Sequence, residues 1–264
     1  MIRALLLALL MTSQLAYGMC SKELILNSSK QIGHEITLED MENRESEAGN
    51  TENGIFYACK ALPNNKNLVV VTFAAINESL TKSYPLYSDG GAIYDLISMV
   101  IDARNKSQIA KHLSKGALES NAVRLQSLTI DTGRYYLESG SIAFGVRSGA
   151  AANSHSYVAD YTNLFLYKLS NNSLTVILNG LEVGSTSGSI EDKCDVKSVF
   201  KNSKKILSVS PQLTNGMHDL EVIEKNDHET TAGCSDEPNT ITPAKGRKIT
   251  LKYDGQEYPI PKGW

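Results

Sequence analysis

At 264 residues, with 41% hydrophobic and 21% charged side chains, the chain can bury a core of its own and falls outside the disordered class. A formal net charge of −3, with no basic patch, argues against nucleic acid as a partner. Its 12 Tyr against 5 Phe and 1 Trp suit sheet surfaces that are half-buried and polar at the edge.

Met1-Ile2-Arg3, the apolar run Ala4 to Met11 and the small residues of Ala16-Tyr17-Gly18 predict a signal peptide over 1–18, cleaved before Met19. Acylation of Cys20 is the minority alternative, because Met19 stands where a lipoprotein signal wants a small residue. No later apolar run approaches ~18 residues, so no membrane span is expected. The expected location is the periplasm. Cys20, Cys59, Cys194 and Cys234 are an even set in an exported chain. Three connectivities are open. Cys20–Cys59 with Cys194–Cys234 is preferred, since each pair closes a loop of about 40 residues at one end of the chain. A zinc site is not expected: there is no C-x-x-C, and the histidines are dispersed.

Residues 19–53 read as an N-terminal segment, with short strands at Leu24-Ile25-Leu26 and Glu35 to Leu38 and an acidic loop from Thr37 to Asn53. Residues 54–264 read as a single β-rich domain. Its strands are predicted at Gly54 to Lys60, Leu68 to Ala75 and Tyr94 to Asp102, with Lys111 to Ser120 as the one candidate helix. Ala122 to Arg147 reads as three successive strands. Thr162 to Leu169 and Leu174 to Leu178 flank a turn at Ser170-Asn171-Asn172-Ser173. Lys205 to Val209 and His218 to Glu224 follow, and a hairpin turning at Asp254-Gly255 closes the chain. Helical periodicity is nearly absent. The predicted class is all-β, antiparallel hairpins in a sandwich-like or propeller-like arrangement, with at most a short helix or two. Tyr94-Asp95-Leu96, Thr162-Asn163-Leu164 and His218-Asp219-Leu220 each set Asp or Asn before Leu at a strand start. Their spacing is too irregular for a clean array.

Asp131-Thr132-Gly133-Arg134-Tyr135, Ala143-Phe144-Gly145-Val146-Arg147 and the late Tyr253-Asp254-Gly255-Gln256-Glu257-Tyr258 resemble a pattern in uncharacterised exported proteins of proteobacteria. The early Cys59 to Pro63 stretch and the late cysteine pair resemble that group as well. The resemblance implies a Gram-negative periplasmic protein and brings no activity with it.

Asp131-Thr132-Gly133 is the one catalytic-looking tripeptide. An aspartic protease needs two carboxylates that share a proton, and the chain has no second D-T-G or D-S-G. Bulky Arg134 also stands where a twin loop would need a small residue. Asp131 is therefore expected to be structural, a turn residue bonded to nearby backbone N–H groups or to Arg134. Gly184-Ser185-Thr186-Ser187-Gly188 mimics a nucleophile elbow but reads as a flexible loop. His155 and His228 read as loop histidines, and His218 and Asp219, as strand neighbours, point to opposite faces. No cofactor motif is present. The expected function is non-enzymatic binding of a protein partner in the periplasm, one form being an immunity protein against a toxin. Envelope glycan binding and an aspartic-type hydrolase using Asp131 are the alternatives. Tyr157 and Tyr161 are the candidate contact residues.

Overall fold

The computed structural model describes residues 20–34, 36–38, 55–63, 65–83, 91–152, 154, 156–190, 197–231 and 239–264. Two short helices, α1 (Lys22–Gln31) and α2 (Glu78–Ser83), accompany eleven strands. The first four strands are β1 (Phe56–Leu62), β2 (Asn65–Ile76), β3 (Ala92–Asp102) and β4 (Ser107–Ser120). Then come β5 (Val123–Asp131), β6 (Ile142–Ala152), β7 (Tyr157–Ser170) and β8 (Ser173–Ser189). Last are β9 (Val199–Thr214), β10 (Met217–Thr230) and β11 (Thr240–Leu251). Strands β1 to β4 form one antiparallel sheet and β5 to β11 a second, each in chain order. The architecture is all-β and sandwich-like.

Turn chemistry explains the long hairpins. Asn171 and Asn172 (φ 49° and 60°) join β7 to β8, and Asn215-Gly216 (φ 50° and 82°) joins β9 to β10. Two successive residues with positive φ give the turn whose twist matches paired strands. Burial then stacks the layers. Phe56, Val70 and Leu96 from the small sheet meet Phe144, Phe165 and Tyr167 from the large one. The opposite face of the small sheet, through Val71, Phe73 and Met99, receives Leu24 and Ile25 of α1. Covered on both faces, β2 reads as an unbroken apolar run rather than an alternating one.

Helix α1 corrects the strand expected at Leu24-Ile25-Leu26. Ser21 caps it, its hydroxyl accepting from the Leu24 N–H at 3.2 Å, and Glu23 lies in its first turn. The Cys20–Cys59 disulfide, one of the two expected, ties its start to β1. Cys194 and Cys234 lie outside the described residues, as do the signal segment, most of the acidic loop and His155. No strand occurs over 36–38.

Four further expectations are corrected. Lys111 to Ser120 is strand, not helix, because it pairs with β3 along nearly its whole length. Ala122 to Arg147 holds two strands, and its middle, 132–141, is irregular. Gly184 to Gly188 is the end of β8, paired to both β7 and β9, rather than a loop. The chain does not end in a hairpin: β11 stops at Leu251 and residues 252–264 contain no strand.

That tail closes the fold. β8 pairs with β9 only from Gly184–Lys204 to Ser189–Val199. Beyond that point the strands part, and Leu178, Leu181 and Val183 pack instead with Val222, Leu251, Tyr253 and Tyr258. The Tyr258 N–H donates to the Ile177 carbonyl at 2.7 Å, and its hydroxyl donates to the His218 carbonyl at 2.5 Å. At the end of the tail the Trp264 ring lies 4.4 Å from the Arg247 guanidinium.

The recurring Asp/Asn-Leu pairs have a physical meaning. Ladder register shifts between Tyr94 and Leu96, between Thr162 and Asn163, and between His218 and Leu220. Each recurrence therefore marks a β-bulge, with the following leucine (Leu96, Leu164, Leu220) fully buried.

Candidate functional site

The sheets are closed on one side and open on the other. At β1 and β5 they meet, with the Lys60 ammonium donating to the Ile130 carbonyl at 3.2 Å. At β4 and β8 a cleft remains, in two lobes of about 550 and 370 Å³ that share Gly116, Ala117 and Asn163.

A bulge shapes its mouth. Asp95 is passed over in the β3–β4 ladder, and its carboxylate instead accepts from the Gly116 N–H at 2.8 Å and the Asn77 amide at 2.9 Å. Asn77 in turn accepts from the Leu80 N–H at 3.0 Å, at the start of α2. Gly116 has φ 60°, and a Cβ there would lie 2.9 Å from the Leu80 Cδ1. Only glycine fits, for conformational and steric reasons together.

The larger lobe is lined by His112, Ser114 and Lys115 from β4, Asn163 and Phe165 from β7, and Asn179 from β8, with Glu257 of the tail also on its wall. His112 Nδ1 lies 3.1 Å from the Leu174 carbonyl. A carbonyl only accepts, so Nδ1 carries the proton. The His112 ring meets Tyr167 edge-on at 5.9 Å. Tyr167 is fully buried, stacked on Phe144 at 5.5 Å. Burial pushes its pKa up to about 12, opposed by the neighbouring Ser98 and Ser114 hydroxyls.

The smaller lobe is acidic. Half-buried Tyr161 lies between Glu119 of β4 and Glu182 of β8; its hydroxyl pKa is raised first by burial and then by those two carboxylates. Glu182 accepts from the Ser185 hydroxyl at 3.0 Å and pairs with the buried Lys205 at 3.4 Å. Lys205 also faces Glu224 at 3.6 Å. Two parallel bonds from Arg247, at 2.6 and 2.9 Å, hold Glu224. That guanidinium, against the opposing effect of burial, brings the Glu224 pKa down to about 2. The cleft is thus bipolar along β4, with Lys115 and His112 toward one end and Glu119 toward the other. Four strand residues separate Lys115 from Glu119, roughly 13 Å.

Of the residues predicted to make contacts, Tyr161 lines the cleft. Tyr157, 48% exposed at the start of β7, lines neither lobe. Asp131 lies elsewhere, at the end of β5. One of its carboxylate oxygens accepts from the Gly133 N–H at 2.9 Å. The other accepts from the Tyr135 hydroxyl at 3.0 Å and from Arg147 at 2.8 and 2.6 Å. Burial raises its pKa, but the Arg147, Gly133 and Tyr135 hydrogen bonds outweigh burial and hold it below the usual carboxylate range. Its cationic partner is Arg147, not Arg134. The residues of Asp131-Thr132-Gly133-Arg134-Tyr135 and Ala143-Phe144-Gly145-Val146-Arg147 thus converge in one cluster. Gly145, opposite Asp131, allows the approach, since a Cβ there would lie 2.8 Å from Leu164 and 3.1 Å from the Asp131 Cβ.

His218 Nδ1 donates to the Ser210 carbonyl at 2.8 Å, and His228 sits in β10 opposite Lys201. Thr186 lies in a polar trough of about 450 Å³ on the far face of the large sheet, alongside Arg147, Asn202 and Lys204. Among the described residues no cluster of His, Cys, Asp or Glu could hold a metal, and no helix is long and apolar enough to cross a membrane. The cleft residues His112, Asn163, Asn179 and Glu182 carried no signal in the sequence beyond Asn163's place in the recurring Asp/Asn-Leu pairs. No protein-family model, curated protein or solved structure matches the chain.

Proposed function

We propose that the protein binds a partner protein, without catalysis, by taking an extended segment of that partner into the cleft beside β4. One observation carries the reading. β4 is an outer strand of its sheet, and it lines open space from His112 to Glu119. An outer strand offers backbone groups to a strand from another chain, while pockets beside it select the side chains. The bipolar lining sets the selection: an acidic side chain toward Lys115 and a basic one toward Glu119. An exported setting accords with the Cys20–Cys59 disulfide. Asp131 serves this fold as an anchor for Arg147 and Tyr135, with no second carboxylate among its hydrogen-bond partners.

Selection from a displayed library of short extended peptides tests the proposal. Bound peptides should carry an acidic and a basic residue about four positions apart, matching the strand rise. Binding should fall in Lys115→Glu and in Glu119→Lys, both at exposed positions. A glycan array serves as the opposing arm. Glycans held in the cleft, with no peptide selected, would refute the reading.

A further inference from the structure

A second surface lies on the wing formed by β9 to β11. Strand register sets Ile206 opposite Ile223 and Lys204 opposite Lys225, and Ile223 also faces Lys248 of β11. Residues two apart on a strand share a face, so both isoleucines and all three lysines point the same way. Ile206 and Ile223 are 42% and 37% exposed, and the lysines are exposed too. The acids on this face are engaged: Glu221 pairs with Lys248 at 3.1 Å, and Asp227 accepts from the Asn202 amide at 2.8 Å. Lys204 and Lys225 have no ion pair among the described residues.

Neither feature stabilises the fold. Like charges directly opposite each other repel, and a paired apolar rung left in water is surface withheld from the core. Together they make a cationic, amphipathic face on a rigid sheet. We infer that this face docks on an anionic phospholipid surface, with Lys204 and Lys225 on headgroup phosphates and the Ile206–Ile223 pair between headgroups. The isoleucines decide between a bilayer and a soluble polyanion. Only the bilayer offers an apolar region for them to enter, whereas a polyanion would meet the lysines and leave the isoleucines in water. The surface lies apart from the β4 cleft, so the inference stands independently of the partner proposed there.

Flotation of the purified protein with vesicles tests it. Vesicles of phosphatidylcholine with phosphatidylglycerol should bind the protein and vesicles of phosphatidylcholine alone should not. Each lysine at an anionic surface contributes roughly fivefold, so Lys204→Glu with Lys225→Glu should weaken binding at least about 25-fold. Ile206→Ser with Ile223→Ser should weaken vesicle binding roughly tenfold and leave binding to dextran sulfate unchanged. Circular dichroism checks that each variant is folded; all four positions are exposed. The inference is overturned by absent or equal binding to the two kinds of vesicle. It is equally overturned by vesicle binding that survives the lysine reversals, or by isoleucine variants that bind vesicles like the parent protein.

Discussion

Asp131 shows how a residue with a catalytic signature can act as a structural hub. Its carboxylate joins the end of β5 to Tyr135 in the following loop and to Arg147 in β6. Asp131→Asn keeps an acceptor for the Gly133 N–H and loses the charge opposite Arg147. The expected cost is on the order of 1–2 kcal/mol, read as a lower midpoint in urea unfolding. The pH dependence has a definite sign. A folded-state pKa held below the unfolded value adds stability at higher pH, lost as pH falls through the folded value. The Asn variant should therefore approach the parent in stability as the medium is acidified. Glu224 acts in the same direction over a known window. Its pKa falls from 4.5 to about 2, so its contribution is full above about pH 4.5 and is lost as pH falls toward 2. Glu224→Gln, followed by thermal unfolding across that range, should flatten this part of the stability profile. A profile of unchanged shape would show that the Lys205–Glu224–Arg247 chain adds nothing.

At the scale of elements, what the sequence revealed depended on whether the deciding contacts were local. The β7–β8 hairpin was legible because Asn171 and Asn172 supply the turn on their own. The bend at Asp254 was legible too, its carboxylate accepting from the Gln256 and Glu257 N–H groups at 2.8 Å each. No second strand follows it, because the tail is spent on burying Tyr258. Residues 111–120 mislead because Leu113, Ala117 and Leu118 fall at helical spacing, and pairing with β3 overrides that preference. Gly184 to Gly188 resembles a loop by composition, yet the sheet requires glycine at one point. A Cβ on Gly188 would lie 2.5 Å from the Val199 carbonyl oxygen. The cleft was hidden for the same reason, since it exists only where two distant strands fail to meet. Its best trace was the recurring Asp/Asn-Leu pair, which marks bulges. The β4 bulge yields a direct prediction. Gly116→Ala places a side chain at φ 60° and against Leu80, costing about 1–2 kcal/mol from the backbone alone. It should also weaken peptide binding, because the arch from Lys115 to Ala117 must shift. Unchanged melting and unchanged binding together would show that the arch tolerates a side chain.

Across the whole molecule, three apolar layers are stacked on two sheets, and the disulfide fastens only the outermost. Replacing Cys20 and Cys59 by Ser should cost roughly 2–4 kcal/mol and loosen α1 from Val71, Phe73 and Met99. It should leave the β4 cleft intact, on the other face of that sheet. A melting temperature lowered with peptide affinity preserved is the expected pair of results. The central claim is that an extended partner segment lies along β4. Amide hydrogen exchange with and without a selected peptide measures this most directly. The account predicts new protection confined to His112–Glu119 of β4 and to the facing stretch Asn179–Glu182 of β8. Protection along β11 or around the trough beside Lys204, with β4 exchanging as freely as before, would contradict it.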